Sequence, residues 1–366
     1  MNQRLQNICD YLKNQQIDAA FINAPENFFY LSGFQTDPHE RLLGMMVFPH
    51  TKPIAIIPEM EAEQLRQSGW DSHIIGYQDH ENPWELLKDD LNKREIINVK
   101  TIGLEKNVLS YGRSESLLGM FPNVNVVDVE VQLNHMRVVK DEEEIAVMRE
   151  AAELADYGIK IGVDALDEGV SEMEVLAKIE FELKKKGVRE MSFSTMVLFG
   201  ENSGSPHGNP GNRTLKSGDF VLFDLGVEWK GYTSDITRTF AFKHITSEQE
   251  DIYQTVLNAQ LAALDISQPG TRIGDLDQTA RDIIEAAGFG DRFPHRLGHG
   301  IGINVHEFPS MSHLNNDKLK AGMTYTIEPG IYDSKLGGVR IEDDVLVKAN
   351  GCETLTRYPK ELQVIT

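Results

Sequence analysis

The chain has 366 residues, 40% hydrophobic and 25% charged, with a formal net charge of −21. That length allows two domains with sizeable cores, and so negative a field argues against nucleic acid and anionic membranes as partners. No run approaches the roughly 18 consecutive apolar residues of a membrane span.

Met1-Asn-Gln-Arg-Leu-Gln-Asn7 lacks the apolar core of a secretory signal. Cys9 and Cys352 stand at opposite ends and form no metal or redox motif, so a cytoplasmic protein with two reduced thiols is expected. A polar-faced helix leads into the strand-like Asp18-Ala-Ala-Phe-Ile-Asn23, and a second helix follows Pro25. Gly44-Met-Met-Val-Phe-Pro49 and Pro53-Ile-Ala-Ile-Ile-Pro58 are short apolar runs bounded by turn residues, as strands are. Residues 73–77, 101–105 and 124–129 repeat the pattern with helical stretches between them, which predicts a small α/β domain over residues 1–133. Before one strand, Gln35-Thr-Asp-Pro-His-Glu-Arg41 gathers Asp37, His39, Glu40 and Arg41 around a proline. It reads either as a solvated loop or as one that reaches an active site.

From residue 134 the pattern changes. Asp141-Glu-Glu-Glu144 is a capping sequence for a helix to about Val163, and Ser171-Glu-Met-Glu174 starts another. The second stops at Lys184-Lys-Lys-Gly187, with cations at the negative end of its dipole. Ser247-Glu-Gln-Glu250 opens a third helix, and Gly274-Asp-Leu-Asp277 precedes a fourth that ends at Gly288. Residues 323–327 and 339–348 read as strands. Helices alternating with hairpin-paired strands predict an α+β unit with a largely antiparallel sheet.

Residues 220–227 and 232–242, rich in aromatic and β-branched side chains, are joined by Glu228-Trp-Lys-Gly231 and read as a β-hairpin. Folding it about Trp229–Lys230 sets Asp224 opposite Asp235. Like charges directly opposed, about 4.5–5.5 Å apart at Cβ, destabilise a sheet. The pair therefore needs a cation between its members, or a shared proton. Four other stretches put polar groups into apolar surroundings: 203–211 with His207, 293–306 with His295, His299 and His306, 326–330 with Glu328, and 339–347 with Arg340 and Glu342. Alternation along the last sends one of Asp343 and Asp344 to solvent. The glycines of Leu297-Gly-His-Gly-Ile-Gly302 do not make a dinucleotide fingerprint, and no Gly-x-Ser-x-Gly elbow occurs. Asp224, Asp235, Glu328, Glu342 and one histidine would give four oxygen donors and one nitrogen, a charge that two divalent cations would cancel. Such a pair activates water for hydrolysis, and carboxylate-dominated ligation suits Mn²⁺, with Co²⁺, Zn²⁺ or Fe²⁺ as substitutes.

In this order the five stretches resemble the pita-bread metallopeptidases: methionine aminopeptidase, aminopeptidase P and prolidase (Xaa-Pro dipeptidase). The resemblance covers residues from about 140 to the end, and the preceding domain and compact length favour the bacterial prolidase form. It implies an α+β fold, with a C-terminal pita-bread (creatinase/aminopeptidase-like) catalytic domain over 134–366 after a smaller α/β domain of the creatinase/prolidase N-terminal type. It further implies that Asp224 holds one metal, Asp235 and Glu342 bridge two, and His299 with Glu328 completes the ligand set of the second metal. His207 and His306 would line the substrate pocket, His295 would border it, and Arg340 would hold Glu342 and the substrate's end. The implied reaction is hydrolysis of Xaa-Pro dipeptides by a metal-bridging hydroxide, with Glu328 shuttling the proton and His306 donating to the oxyanion. Aminopeptidase P activity on longer peptides is the alternative, and a silent peptide-binding module a lesser one. A homodimer is expected, in which Asp37, His39 and Arg41 reach the partner's active site.

Overall fold

A computed structural model describes residues 2–96 and 98–366. The chain divides into two units, Met1–Arg137 and Val138–Thr366. The helix Glu130–Val138 runs past the 133/134 position expected from the sequence.

In the first unit six strands form one sheet, in the order His73–Tyr77, Ile54–Pro58, Gly44–Val47, Ala19–Ile22, Thr101–Leu104, Asn125–Asp128. The strands around Gly44–Val47 pair antiparallel and the outer ones parallel. Near-continuous apolar runs suit strands covered by helices. Accordingly Phe21, Met46, Ile56 and Ile102 pack with Leu87 and Leu91 of the helix Pro83–Lys93 in one buried cluster.

The second unit repeats one plan twice: a helix pair covering a sheet. Helices Glu142–Asp164 and Glu172–Lys185 each begin with a complete capping box, Asp141 with Glu144 and Ser171 with Glu174. Their apolar faces (Ala151, Ala155, Ile159, Val175, Ile179) pack on Val221, Phe223 and Leu225. Those residues belong to the sheet ordered Val364–Ile365, Ile236–Phe242, Phe220–Leu225, Met196–Phe199. Helices Ser247–Asp265 and Ile273–Ala286 supply Ile252, Val256, Leu276 and Ala280 to a second cluster with Tyr325, Ile327 and Val345. This second sheet runs Glu307–Met311, Gly298–Gly300, Thr324–Ile327, Asp343–Val347, Cys352–Thr354. The two halves meet where Glu342 N–H donates to Thr237 O (3.1 Å) and Arg340 N–H donates to Thr239 Oγ1 (3.2 Å). Candidate ligands from both sheets thereby come to one place.

Several expectations need correction. Strand pairing sets Leu225 against Ile236 and Asp224 against Thr237, not against Asp235. The turn is the pair Lys230 (φ 50°) and Gly231 (φ 84°), between Trp229 and Tyr232. Two left-handed residues make the tight turn that matches strand twist, so the centre lies one residue later than Trp229–Lys230. Asp235 is thus a diagonal neighbour of Asp224. Because the slip is two positions, both remain on one face. The third helix is capped by Thr246 with Gln249, one residue before Ser247, and the fourth already begins at Ile273. Residues 339–348 are two strands, Gly337–Arg340 and Asp343–Val347, interrupted at Ile341 and Glu342. Neither Asp343 nor Asp344 faces solvent: they are 0% and 1% exposed. Asp343 is ion-paired with Arg238 (2.7 Å) and Lys360, and accepts from Gln260 Nε2 (2.7 Å). Its burial opposes ionisation, but these two cations hold its carboxyl below the usual range.

Candidate metal centre

A cavity of about 500 Å³ opens in the second unit. Lining it are Asp224, Asp235, His299, Glu328 and Glu342, together with His207, His295, His306 and Arg340. Asp37, His39 and Arg41 belong to the first unit. There Arg41 pairs with Asp79 (2.8 Å) and His39 Nδ1 lies 3.3 Å from Asp37.

Each ligand candidate is set by its backbone. Asp224 sits in the fully buried strand Phe220–Leu225. Asp235 precedes the strand Ile236–Phe242, and its N–H donates to Asp344 Oδ2 (3.0 Å), which pins the diagonal step. His299 lies between two glycines for a steric reason. A Cβ at Gly298 would stand 2.1 Å from Thr326 O, and one at Gly300 2.0 Å from Phe308 O. Glu328 N–H donates to Leu297 O (2.9 Å), which places its side chain beside His299.

Nε2 of His299 is 3.4 Å from Glu328 Oε1 and 3.7 Å from Asp235 Oδ2. Asp235, His299 and Glu342 each offer an atom within 4.8 Å of the others. His299 Nδ1 lies 3.2 Å from Gly300 O, which fixes the proton there and leaves the Nε2 lone pair facing the carboxylates. Burial, then His306, pushes its pKa down to about 3, so the ring is neutral, as ligation requires. Burial, with mutual repulsion, raises Asp235 and Glu342 well above the ordinary carboxylate range. Glu328 is pushed up to about 7 by burial, with Arg340 opposing and Asp224 adding.

Asp224 Oδ1, Asp235 Oδ1 and Glu342 Oε1 are buried with no hydrogen-bond partner among the described residues. Buried carboxylate oxygens left unpaired are costly. Unpaired carboxylate oxygens in one cavity with a neutral imidazole, two of the carboxylates clustered with it, fit hard divalent cations, so the donor set suits the group expected.

Arg340 braces the cluster. Its Nη2 bonds Asp224 Oδ2, its Nε donates to Thr237 Oγ1 (3.0 Å) and its Nη1 to Tyr332 OH (2.9 Å). Thr237 Oγ1 in turn donates to Glu342 Oε2 (2.6 Å), so Arg340 reaches Glu342 through a hydroxyl. His295 Nε2 lies 2.8 Å from Tyr332 OH and Nδ1 2.8 Å from Arg296 O. Its pKa is pushed down to about 4, chiefly by burial. His306 stacks edge-on to His299 at 4.1 Å between ring centres, while His207 and His306 are the more exposed histidines.

Asp344, which accepts from Asp235 N–H, was singled out only as a possible solvent-facing carboxylate, and Thr237, Tyr332 and Thr326 support the candidate ligands but carried no sequence signal. Asp277 is another: its Oδ1 accepts from Leu297 N–H (2.8 Å), between His295 and His299.

A creatinase-type first unit and a two-part second unit with an acidic, histidine-bearing centre define the class as pita-bread metallopeptidases. The description "Metallopeptidase family M24" matches residues 146–349, and "Creatinase/Prolidase N-terminal domain" matches residues 4–139. The chain belongs to metallopeptidase family M24. It is 58% identical over 362 residues to "Putative dipeptidase YkvY" of Bacillus subtilis (strain 168), covering 99% of each chain. The prolidase from Pyrococcus horikoshii OT3 superposes with a TM-score of 0.91 at 33% identity, over 98% of this chain and 99% of that one. The X-Pro aminopeptidase from Thermotoga maritima MSB8 gives a TM-score of 0.87 at 31% identity, over 96% and 98%.

Proposed function

We propose that the protein hydrolyses Xaa-Pro dipeptides with two divalent cations, Mn²⁺ by donor chemistry, held by Asp224, Asp235, His299, Glu328 and Glu342. The observation that carries this reading is one cavity lined by three carboxylates with unpaired buried oxygens, Asp224, Asp235 and Glu342, and by the neutral His299, whose ring shares a 4.8 Å cluster with Asp235 and Glu342. Bound there, the cations would supply a water acidified toward neutral pH and positive charge beside the scissile carbonyl.

The chain's own side chains account for the rest. Glu328 takes a proton from the attacking water at a carboxylate oxygen and passes it to the departing proline nitrogen. That nitrogen departs as an amine and not as an amide anion, so it must receive a proton to leave. His306, at the cavity wall next to His299, donates to the oxyanion, a role whose loss typically costs about 10²–10³ in rate. Arg340 is held charged by Tyr332, Asp224 and Glu342 against the opposing effect of burial, and keeps Asp224 oriented. His295, neutral and bonded to Tyr332, shapes the wall without adding charge.

We assign the protein to the cytoplasm, as a homodimer in which the loop bearing Asp37, His39 and Arg41 closes the partner's cavity. The likeness to an X-Pro aminopeptidase supports a second reading, removal of one residue from longer peptides. Hydrolysis of Leu-Pro and Leu-Pro-Gly by the Mn²⁺-loaded protein separates them. Cleavage of Leu-Pro alone is the expected result. Preference for Leu-Pro-Gly would transfer the assignment, and cleavage of neither would overturn it.

A further inference from the structure

The helix Glu172–Lys185 opens with a carboxylate that its cap does not use. Ser171 and Glu174 complete the capping box, while Glu172 turns inward and is 0% exposed. Its Oε1 accepts from Phe199 N–H (2.8 Å) and Asn202 Nδ2 (2.9 Å), and its Oε2 accepts from Gly211 N–H (2.8 Å). These donors belong to the two ends of one loop. Phe199 closes the strand Met196–Phe199, Asn202 lies in the turn Gly200–Gly204, and Gly211 is where the loop returns to the helix. Main-chain bonds reinforce the return, from Met173 N–H to Gly211 O (3.2 Å) and from Glu172 N–H to Arg213 O (3.1 Å). On its far side the loop touches the Arg340 strand, because Ser203 Oγ accepts from Gly338 N–H (2.8 Å).

Between the tied ends, Pro206, His207, Gly208, Asn209 and Pro210 line the cavity. Drawing both ends of a loop to one point removes much of its conformational freedom. The chemistry demands a carboxylate, since three N–H donors converge on two oxygens and only an ionised acid accepts at both. A glutamine would turn a donor toward a donor. We propose that Glu172 is a positioning residue that holds the loop from Asn202 to Gly211, and His207 with it, as a fixed wall of the substrate cavity. This rests on the peptidase reading of that cavity. Asp224, Asp235, His299, Glu328 and Glu342 lie on other elements, so loosening the loop leaves the metal ligands in place.

The test uses the full-length Mn²⁺-loaded protein and the variants E172Q, H207A and their combination. Hydrogen exchange reads the anchoring without substrate. In E172Q the amides of residues 202–211 should exchange about tenfold faster or more, the scale of one lost charge-assisted hydrogen bond, while those of residues 220–225 stay protected. With Leu-Pro, KM should rise about tenfold by the same scale, with kcat and metal content nearly unchanged. The double variant should match H207A alone, because residues acting through one another are not additive. Unchanged exchange, unchanged KM or additive effects would each overturn the proposal. Should E172Q fail to fold, N202A removes one bond and keeps the charge, and it must shift exchange and KM in the same direction or the proposal falls. Wild-type protein that leaves both Leu-Pro and Leu-Pro-Gly intact would refute the peptidase reading, and the exchange data would still decide the anchoring.

Discussion

Removing divalent cations with a chelator would leave Asp224, Asp235, Glu328 and Glu342 in one cavity with the guanidinium of Arg340 braced against Asp224 and that of Arg296 at the cavity lining. The consequence depends on pH. Glu328 is pushed from an ordinary 4.5 up to about 7, first by burial, with Arg340 opposing and Asp224 adding. A folded-state pKa above the unfolded value means the folded form binds the proton more tightly. The stability this contributes is fully present below about 4.5 and is lost as pH rises through about 7. Glu328 alone is worth on the order of 3 kcal/mol over that window, and Asp235 and Glu342 shift in the same direction. His295 works the other way: burial lowers it from 6.5 to about 4, so its stability is gained as pH rises through that range. Since His295 is not among the proposed ligands, its share should cancel between metal-loaded and metal-free samples. Thermal unfolding at pH 5, 6, 7 and 8, with chelator or with excess Mn²⁺, should show the gap in Tm widening by several degrees as pH rises. A gap that stays constant or narrows would refute the electrostatic account of the centre.

Other expectations follow from the same geometry. Asp235→Asn removes one of the converging carboxylates, and the metal content should fall below that of wild type while turnover drops by about 10³ or more, as for a group acting directly in the site; full metal content with full turnover would contradict its placement. Arg238→Met leaves buried Asp343 with Lys360 as its remaining cation. Stability measured in denaturant should fall by about 3–5 kcal/mol, the cost of breaking a buried pair, and an unchanged midpoint would show that Lys360 suffices. Asp37→Ala with Arg41→Ala removes exposed ion pairs worth little stability. If the loop closes a partner's cavity, Xaa-Pro hydrolysis falls while Tm stays put; unchanged kcat and KM would sink that role.

What the sequence made legible was composition along the chain, and what it hid was register and partnership. The hairpin and its two aspartates were readable from β-branched and aromatic runs around a short link. The turn was misplaced because Lys230 adopts φ 50°, a backbone choice that a lysine does not advertise. The face assignment survived because the slip was an even number of residues. Asp343 and Asp344 defeated the alternation rule because the groups that make burial tolerable come from remote segments. Arg238, Gln260 and Lys360 reach Asp343, and the backbone of Asp235 reaches Asp344. Thr237 and Tyr332 were invisible for a similar reason. Each looks like an ordinary strand residue until folding sets it between Arg340 and a second polar group.

The central claim is that these five side chains hold a pair of divalent cations that the reaction needs. Its most direct test is to dialyse the protein against Mn²⁺, measure the metal per chain by mass spectrometry, and assay Leu-Pro hydrolysis on the same sample. The account predicts two ions per chain, with activity lost on chelation and restored on reloading. Less than one ion per chain, or hydrolysis undiminished after the metal is gone, would contradict it.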